Sequence, residues 1–362
     1  MADRTEIGKS SAEPALDVAV IGGGIAGLSC ARELARGGLR VAIFDLPLSG
    51  AASAAAAGML APWAEPSTDP DSLALREAAL ALYPTWIESL EKESGLPIDM
   101  MRCGSIVVSL DGEEAASESF LWAQDRIPGY RRLAPEEARA EVPILTTDVA
   151  DAVLLPEEGY AEPRSLLAAL RATCRRLGVE TREEVVLGLE ESEGRVRGVR
   201  TATGTVPAAA VLNATGAWAS VLLPEDRIRP IRGQLLVLKP DRSGIRLNRI
   251  VHAAGGGTYL VPRQDGSLVV GSTSEDVGFQ AIATANGALS LLERAIRLAP
   301  SLQEWQLSQA WAGLRPFREG GARIGPDGAR AGLYHAVGLY RHGILLAPLA
   351  GERIRVEMER GR

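Results

Sequence analysis

Residues Ala19–Asp45 read AVIGGGIAGLSCARELARGGLRVAIFD, and this stretch decides the fold. An apolar run, Leu16 to Ile21, has the make-up of a strand buried on both faces. Three adjacent glycines follow. Ile25 to Arg36 then reads as a helix that stops at Gly37-Gly38. Val41 to Phe44 reads as a second strand, so the unit is βαβ and implies a parallel sheet. Within the loop, Gly22-x-Gly24-x-x-Gly27 gives each glycine a task. Gly22 permits the tight turn, Gly24 leaves room for a pyrophosphate, and Gly27 lets helix and strand pack closely. The helix N-terminus offers free N–H groups to phosphate oxygens. Asp45 ends the second strand, 45 − 22 = 23 positions after Gly22, where an acid accepts hydrogen bonds from a ribose. An acid there argues against a 2′-phosphate and hence against NADP. NAD and FAD share this pattern, which by itself does not separate them.

The rest of the chain sets bounds. It has 362 residues, enough for two domains with a substantial core. Hydrophobic residues make up 46%, charged residues 23%, and the net charge is -7. No basic footprint for nucleic acid or an anionic membrane is present. Cys30, Cys103 and Cys174 stand far apart and form no CxxC pair, so neither a metal site nor a disulfide framework is indicated. The expected setting is a reducing cytoplasm. Residues 1–14 read as a polar, disordered lead without a signal-peptide core. No run reaches the ~20 apolar residues of a membrane span.

Helices are expected at Ser72 to Ser94, with Pro84 kinking or dividing it, at Pro135 to Glu141, at Pro163 to Leu177, at Ala288 to Leu298 and at Leu346 to Glu359. Strands are expected at Ser105 to Leu110, Glu180 to Glu190, Arg195 to Thr201, Thr205 to Leu212, Gln234 to Lys239, Gly257 to Pro262, Ser267 to Gly271 and Leu333 to Val337. The alternation of helical and strand-rich blocks implies two domains interleaved in sequence. A second small-residue turn, Val211 to Gly216, suits close approach of backbone to the same nucleotide. The histidines, His252, His335 and His342, pair with no visible nucleophile motif.

Five stretches together resemble a known family: the glycine loop; SAAAAGMLAP at Ser53 to Pro62; RGQ at Arg232 to Gln234; YLVPRQDGSLVVGST at Tyr259 to Thr273; and WAGLRP at Trp311 to Pro316 with RHGILLAP at Arg341 to Pro348. They are similar to the FAD-dependent D-amino-acid oxidase superfamily, and within it to the glycine oxidases of thiamine biosynthesis. The resemblance implies an α/β fold: a Rossmann-like, glutathione-reductase-type FAD domain (15–93, 150–222 and 311–362) interleaved with a substrate domain on a mixed sheet (94–149 and 223–310). It implies non-covalent FAD. No cysteine stands near the C-terminus, where covalent relatives tether theirs.

The resemblance also implies roles. Arg315 pairs with the substrate carboxylate through its bidentate fork, with Tyr259 and Arg341 assisting. The small-residue run brings Ala52, Ser53, Ala57, Gly58 and Met59 against the flavin ring, with Met59 on the reacting side. Ser274 lines the substrate pocket. Ile25, Ala26 and Leu46 extend the contacts of the glycine loop and Asp45, Val186 lies on the adenine side, and Gly216 approaches the nucleotide. Leu339, Tyr340, Arg341, His342, Gly343, Ile344 and Leu345 face the flavin just before the last helix, where a helix N-terminus stabilises negative charge. Two of these depart from the glycine oxidase pattern: histidine and asparagine are expected where Leu339 and His342 stand.

The implied reaction is oxidative deamination of glycine, and secondarily of sarcosine and small D-amino acids. The α-hydrogen passes as hydride to flavin N5, the imine hydrolyses, and oxygen yields hydrogen peroxide. The expected partners are the amino acid and molecular oxygen, with a homo-oligomer, up to a tetramer, as the assembly. Two alternatives remain at this stage: a dehydrogenase passing electrons to a quinone or carrier, and a flavin-binding protein without turnover.

Overall fold

The computed structural model describes residues 16–65, 70–123, 126–240 and 246–361; the expected lead at 1–14 lies outside them. Strand Leu16–Ile21 pairs in parallel with Val41–Phe44 on one side and with Gly204–Asn213 on the other. Glu180–Arg182 and Leu333–Val337 extend the parallel set at its two ends. The expected strand at Glu180 to Glu190 is therefore two. Its first part joins the parallel sheet, and its second part, Val186–Ser192, pairs antiparallel with Arg195–Thr201 at the far end of the same sheet.

Four helices share one hydrophobic core with a face of this sheet: Ile25–Arg36, Pro163–Arg176, Gly343–Arg360 and, packed on the last two, Pro70–Ser94. Their apolar stripes bury Leu34, Leu90, Leu166 and Ile354 completely, and truncating one such leucine to alanine costs about 2–5 kcal/mol. The first and last helices touch where Gly351 meets the carbonyl of Ser29, and the Ser29 hydroxyl donates to the Ala347 carbonyl at 2.7 Å. Pro84 does not divide its helix, which runs unbroken over Pro70–Ser94. The last helix starts three residues earlier than expected, at Gly343, and carries Pro348 inside. Proline lacks the N–H that would bond the carbonyl of Ile344, four residues back. The buried Tyr83 hydroxyl donates to that carbonyl instead.

The second sheet is mixed. In spatial order it holds Gln306–Arg318, Ile228–Lys239, Leu268–Gly271, Tyr259–Pro262, Ile250–Ala253, Ser105–Leu110, Val149–Leu155 and Arg131–Leu133. Among the described strands of this sheet, only the Ile250–Ala253 and Ser105–Leu110 pair is parallel. Helix Ala285–Leu298 packs on this sheet through Leu291, Ala295 and Leu298. Strands Val149–Leu155 and Gln306–Arg318 cross the expected domain boundaries at 150 and 311. A small sheet of Met59–Leu60, Gly159–Ala161 and Met100–Met101 stands apart from both. No described helix is long and apolar enough to cross a membrane.

Candidate active site

One cavity of about 620 Å³ draws its lining from both large sheets. That volume lies in the range of clefts that hold small molecules. At the parallel sheet it begins with the glycine loop. Gly22 has φ +104°, and a Cβ there would lie 2.5 Å from the Ala214 carbonyl oxygen. The two small-residue turns read separately from the sequence therefore press on each other. A Cβ on Gly27 would lie 1.9 Å from the Gly22 carbonyl oxygen, so Gly27 sits beneath the loop and not in the cavity wall. Gly24 caps helix Ile25–Arg36 without a side-chain bond. The Ile25 N–H donates to Ser53 Oγ at 3.0 Å, which ties the alanine-rich segment to the helix start.

Gly22, Gly24, Ile25, Ala26, Asp45 and Leu46 all line this end. Val186 and Gly216 join them. Leu187 and Val221 also line it while remaining 65% and 69% exposed. Such apolar faces beside a phosphate-type loop suit a planar base laid over them. Ala52, Ser53, Ala57, Gly58 and Met59 line the cavity onward from the glycine loop, with a short helix at Ala52–Ala55. The last helix presents Gly343 and Ile344 to the cavity, and Leu345 is buried beneath them. The predicted segment is thus partly the first helical turn itself, not only the residues before it.

On the second sheet the cavity reaches Tyr259 and Arg315. Arg315 donates to the Thr273 carbonyl at 3.0 Å and to Ser272 Oγ at 2.6 Å, and no described carboxylate pairs with it. Its guanidinium lies over Gly233, on the neighbouring strand, where a Cβ would approach it to 2.2 Å. Tyr259 lies over Gly271 in the same way. Each glycine leaves the space in which one of these two side chains rests.

Arg341 pairs with Glu65 at 3.1 Å and stacks on the Tyr340 ring at 5.5 Å. Burial opposes this cation, yet Glu65 and Tyr340 hold its pKa above the ordinary value. Burial likewise opposes the Glu65 charge, but the basic side chains of His342 and Arg341 hold that carboxyl below its usual range. Tyr340 takes the left-handed φ of +47°, which is uncommon for a bulky residue and frequent at functional sites. Burial raises its phenol, while bonds to Arg341 and Ser274 and the charge of Arg315 bring it below its ordinary value. Leu339 lines the cavity, whereas His342 points to Glu65 at 3.8 Å and burial lowers it to about 4. Ser274 does not line this cavity; it lines a neighbouring one.

Two acids escaped the sequence reading. Glu65 stands in no motif. Glu158 is fully buried and accepts from the Trp63 and Ala64 N–H groups at 2.8 and 2.9 Å, which fixes the chain entering Glu65. Burial raises its carboxyl to about 7. His335 lies outside the site, between Asp226 at 3.3 Å and Asp327 at 3.0 Å. His252 is buried and lowered to about 4 by that burial.

The donor set suits a flavin dinucleotide. It offers a helix start whose cap, Gly24, has no side chain to crowd the pyrophosphate, Asp45 for ribose hydroxyls, an alanine-lined wall for a flat ring, and a second helix N-terminus at the other side. A match to the family described as FAD dependent oxidoreductase runs over residues 17–355. The chain is similar to a bifunctional ThiO/ThiG protein of Trichormus variabilis, 37% identical over 341 residues that take in 93% of this chain and 52% of that one. It thus spans about half the length of the first curated relatives it matches. It is also similar to the glycine oxidase of Geobacillus kaustophilus, 33% identical over 95% of this chain and 93% of that one. The crystal structure of glycine oxidase from Geobacillus kaustophilus superposes with a TM-score of 0.88 at 32% identity, over 95% of each chain. From the glycine loop to the last helix, the chain belongs to the FAD-dependent oxidoreductases.

Proposed function

We propose that this protein is an amino-acid oxidase acting on glycine, with sarcosine and small D-amino acids as further substrates, in the formation of the thiamine thiazole. The observation that carries the reading is Arg315. It is a cation without a described acid partner, held by neutral acceptors inside a cavity shared with the dinucleotide loop. Bound FAD supplies the acceptor for two electrons. Arg315 takes the substrate carboxylate in a two-pronged charge-assisted bond, which fixes the α-carbon in place. Tyr259 and Arg341 narrow that pose, and Met59 with the alanine wall keeps water away. Neither histidine nor cysteine lines the cavity among the described residues, which fits a reaction driven by orientation and not by a nucleophile. Glycine, oxygen and water become glyoxylate, ammonia and hydrogen peroxide. The parallel-sheet unit serves as the flavin domain and the mixed sheet as the substrate domain, with residence in the cytoplasm and self-association part of the same reading.

The test is glyoxylate and peroxide formation from glycine by the wild type and Arg315→Ala. The variant is expected to keep its flavin while KM for glycine rises about a hundred-fold. Unchanged glycine kinetics overturn the carboxylate role. Flavin reduction by glycine with slow recovery in air would point to a dehydrogenase instead.

A further inference from the structure

Arg315 reaches across strand Ile228–Lys239, over Gly233, to the segment 272–275 on its far side. That segment continues strand Leu268–Gly271 but not its register. Leu235 faces Gly271 and Arg232 faces Glu275, so three steps on one strand match four on the other. The extra residue makes a β-bulge, a device that re-aims groups beside active sites. Here it brings the Thr273 carbonyl and the Ser272 hydroxyl onto the Arg315 guanidinium at 3.0 and 2.6 Å.

A bulge gives up regular ladder bonds, and side chains replace them. The Gln234 N–H donates to Thr273 Oγ1 at 2.9 Å. Thr273 Oγ1 in turn donates to Glu275 Oε1 at 2.5 Å, and Gln234 Nε2 donates to the same oxygen at 2.7 Å. Arg232 Nη2 forms an ion pair with the other oxygen, Glu275 Oε2. The ladder resumes between Arg232 and Glu275, whose backbones exchange bonds at 2.8 and 3.0 Å. Three side chains therefore meet on one carboxylate. Burial opposes its charge, yet the bonds from Arg232, Thr273 and Gln234 hold it down to about 2. Gln234 is fixed from behind, its Oε1 accepting from the Thr284 N–H at 2.7 Å at the start of helix Ala285–Leu298. The RGQ stretch now has a reason. Arg232 and Gln234 hold Glu275, and Gly233 between them leaves room for Arg315. Neither Glu275 nor Arg232 lines the main cavity, so neither is placed to touch the substrate.

We propose that Glu275 is a positioning residue for the substrate site: it clamps the bulge at 272–275 and so sets the pose in which Arg315 meets a carboxylate. Its own charge is met by Arg232, which leaves Arg315 open to an anion. The inference rests on the amino-acid oxidase reading.

The experiment compares flavin-loaded wild type, Glu275→Ala, Glu275→Gln and Thr273→Val. It measures kcat and KM for glycine, the Kd of acetate from the shift of the flavin band, the flavin content and the unfolding midpoint. Glu275→Ala is expected to raise KM for glycine and Kd for acetate together by about ten- to a hundred-fold, with a smaller fall in kcat and full flavin content. Glu275→Gln keeps an acceptor oxygen for Thr273 and Gln234 and should recover part of the loss. Thr273→Val removes the hydroxyl but keeps the carbonyl that holds Arg315. It should raise the same two constants by about ten-fold, which keeps the test open if Glu275→Ala fails to fold. A lowered unfolding midpoint with unchanged KM and acetate Kd would make Glu275 a support of the fold alone and overturn the proposal. A wild type whose flavin no amine reduces would sink the oxidase reading, while the acetate titration would still decide the clamp. A wild type that also ignores acetate would overturn both.

Discussion

Replacing Gly233 by alanine separates the position of Arg315 from its charge. The new methyl carbon would stand 2.2 Å from the guanidinium, and an ordinary contact needs about 3.4 Å, so the head group must retreat by about 1.2 Å. The bonds to the Thr273 carbonyl at 3.0 Å and Ser272 Oγ at 2.6 Å cannot survive that displacement. Each hydrogen bond of a charged donor is worth about 1.5–3 kcal/mol, so the pose loses about 3–6 kcal/mol of support. The side chain is long and ends in open cavity, so it swings away and the fold survives. The expected result is a KM for glycine raised by about a hundred-fold, a smaller fall in kcat, full flavin content and a nearly unchanged unfolding midpoint. Oxygen-electrode kinetics, a flavin spectrum and a thermal unfolding curve measure these in turn. An unchanged KM would refute the claim that Arg315 binds substrate from the pose seen over Gly233.

Gly27→Ala places a Cβ 1.9 Å from the Gly22 carbonyl oxygen, a backbone atom that has nowhere to go, so the purified protein should be colourless or insoluble; a yellow, flavin-saturated variant would contradict the loop packing. Glu158 is raised from the usual carboxylate value to about 7, so its contribution to stability is present below about pH 4.5 and is lost as pH rises through 7. Glu158→Gln should remove that slope, worth about 3 kcal/mol, and urea unfolding at pH 5 and pH 8 should show the variant gaining on the wild type at the higher pH; equal differences at both would refute the assignment. Tyr83→Phe leaves the Ile344 carbonyl without its donor and should cost about 1–3 kcal/mol in denaturant unfolding, with no cost if Pro348 is relieved in some other way.

The glycine loop was legible because a nucleotide turn imposes its demands on neighbouring residues, so sequence and structure carry the same information. The long strand Gln306–Arg318 was not, because it carries Pro316 and no clean alternation. Pro316 faces Pro230 across the ladder, a pairing that works only where neither needs to donate to the other. The same strand delivers Arg315, so the motif was recognised while its support was missed. Glu65 and Glu158 were invisible for a different reason. Each acquires its role from partners at least 90 residues away, Arg341 for one and the 63–64 backbone for the other, and a single acid in a loop leaves no local signal. Gly233 and Gly271 were legible only as glycines; the structure shows that each is the floor under a side chain.

The central claim is that glycine enters the cavity at Arg315 and surrenders its α-hydrogen there. The most direct measurement is the visible spectrum of the purified yellow protein mixed with glycine under anaerobic conditions and then opened to air. The account predicts bleaching of the flavin band by glycine, with rapid recovery and an equivalent of peroxide on exposure to oxygen. A flavin that stays fully oxidised with glycine, sarcosine and D-alanine would contradict it.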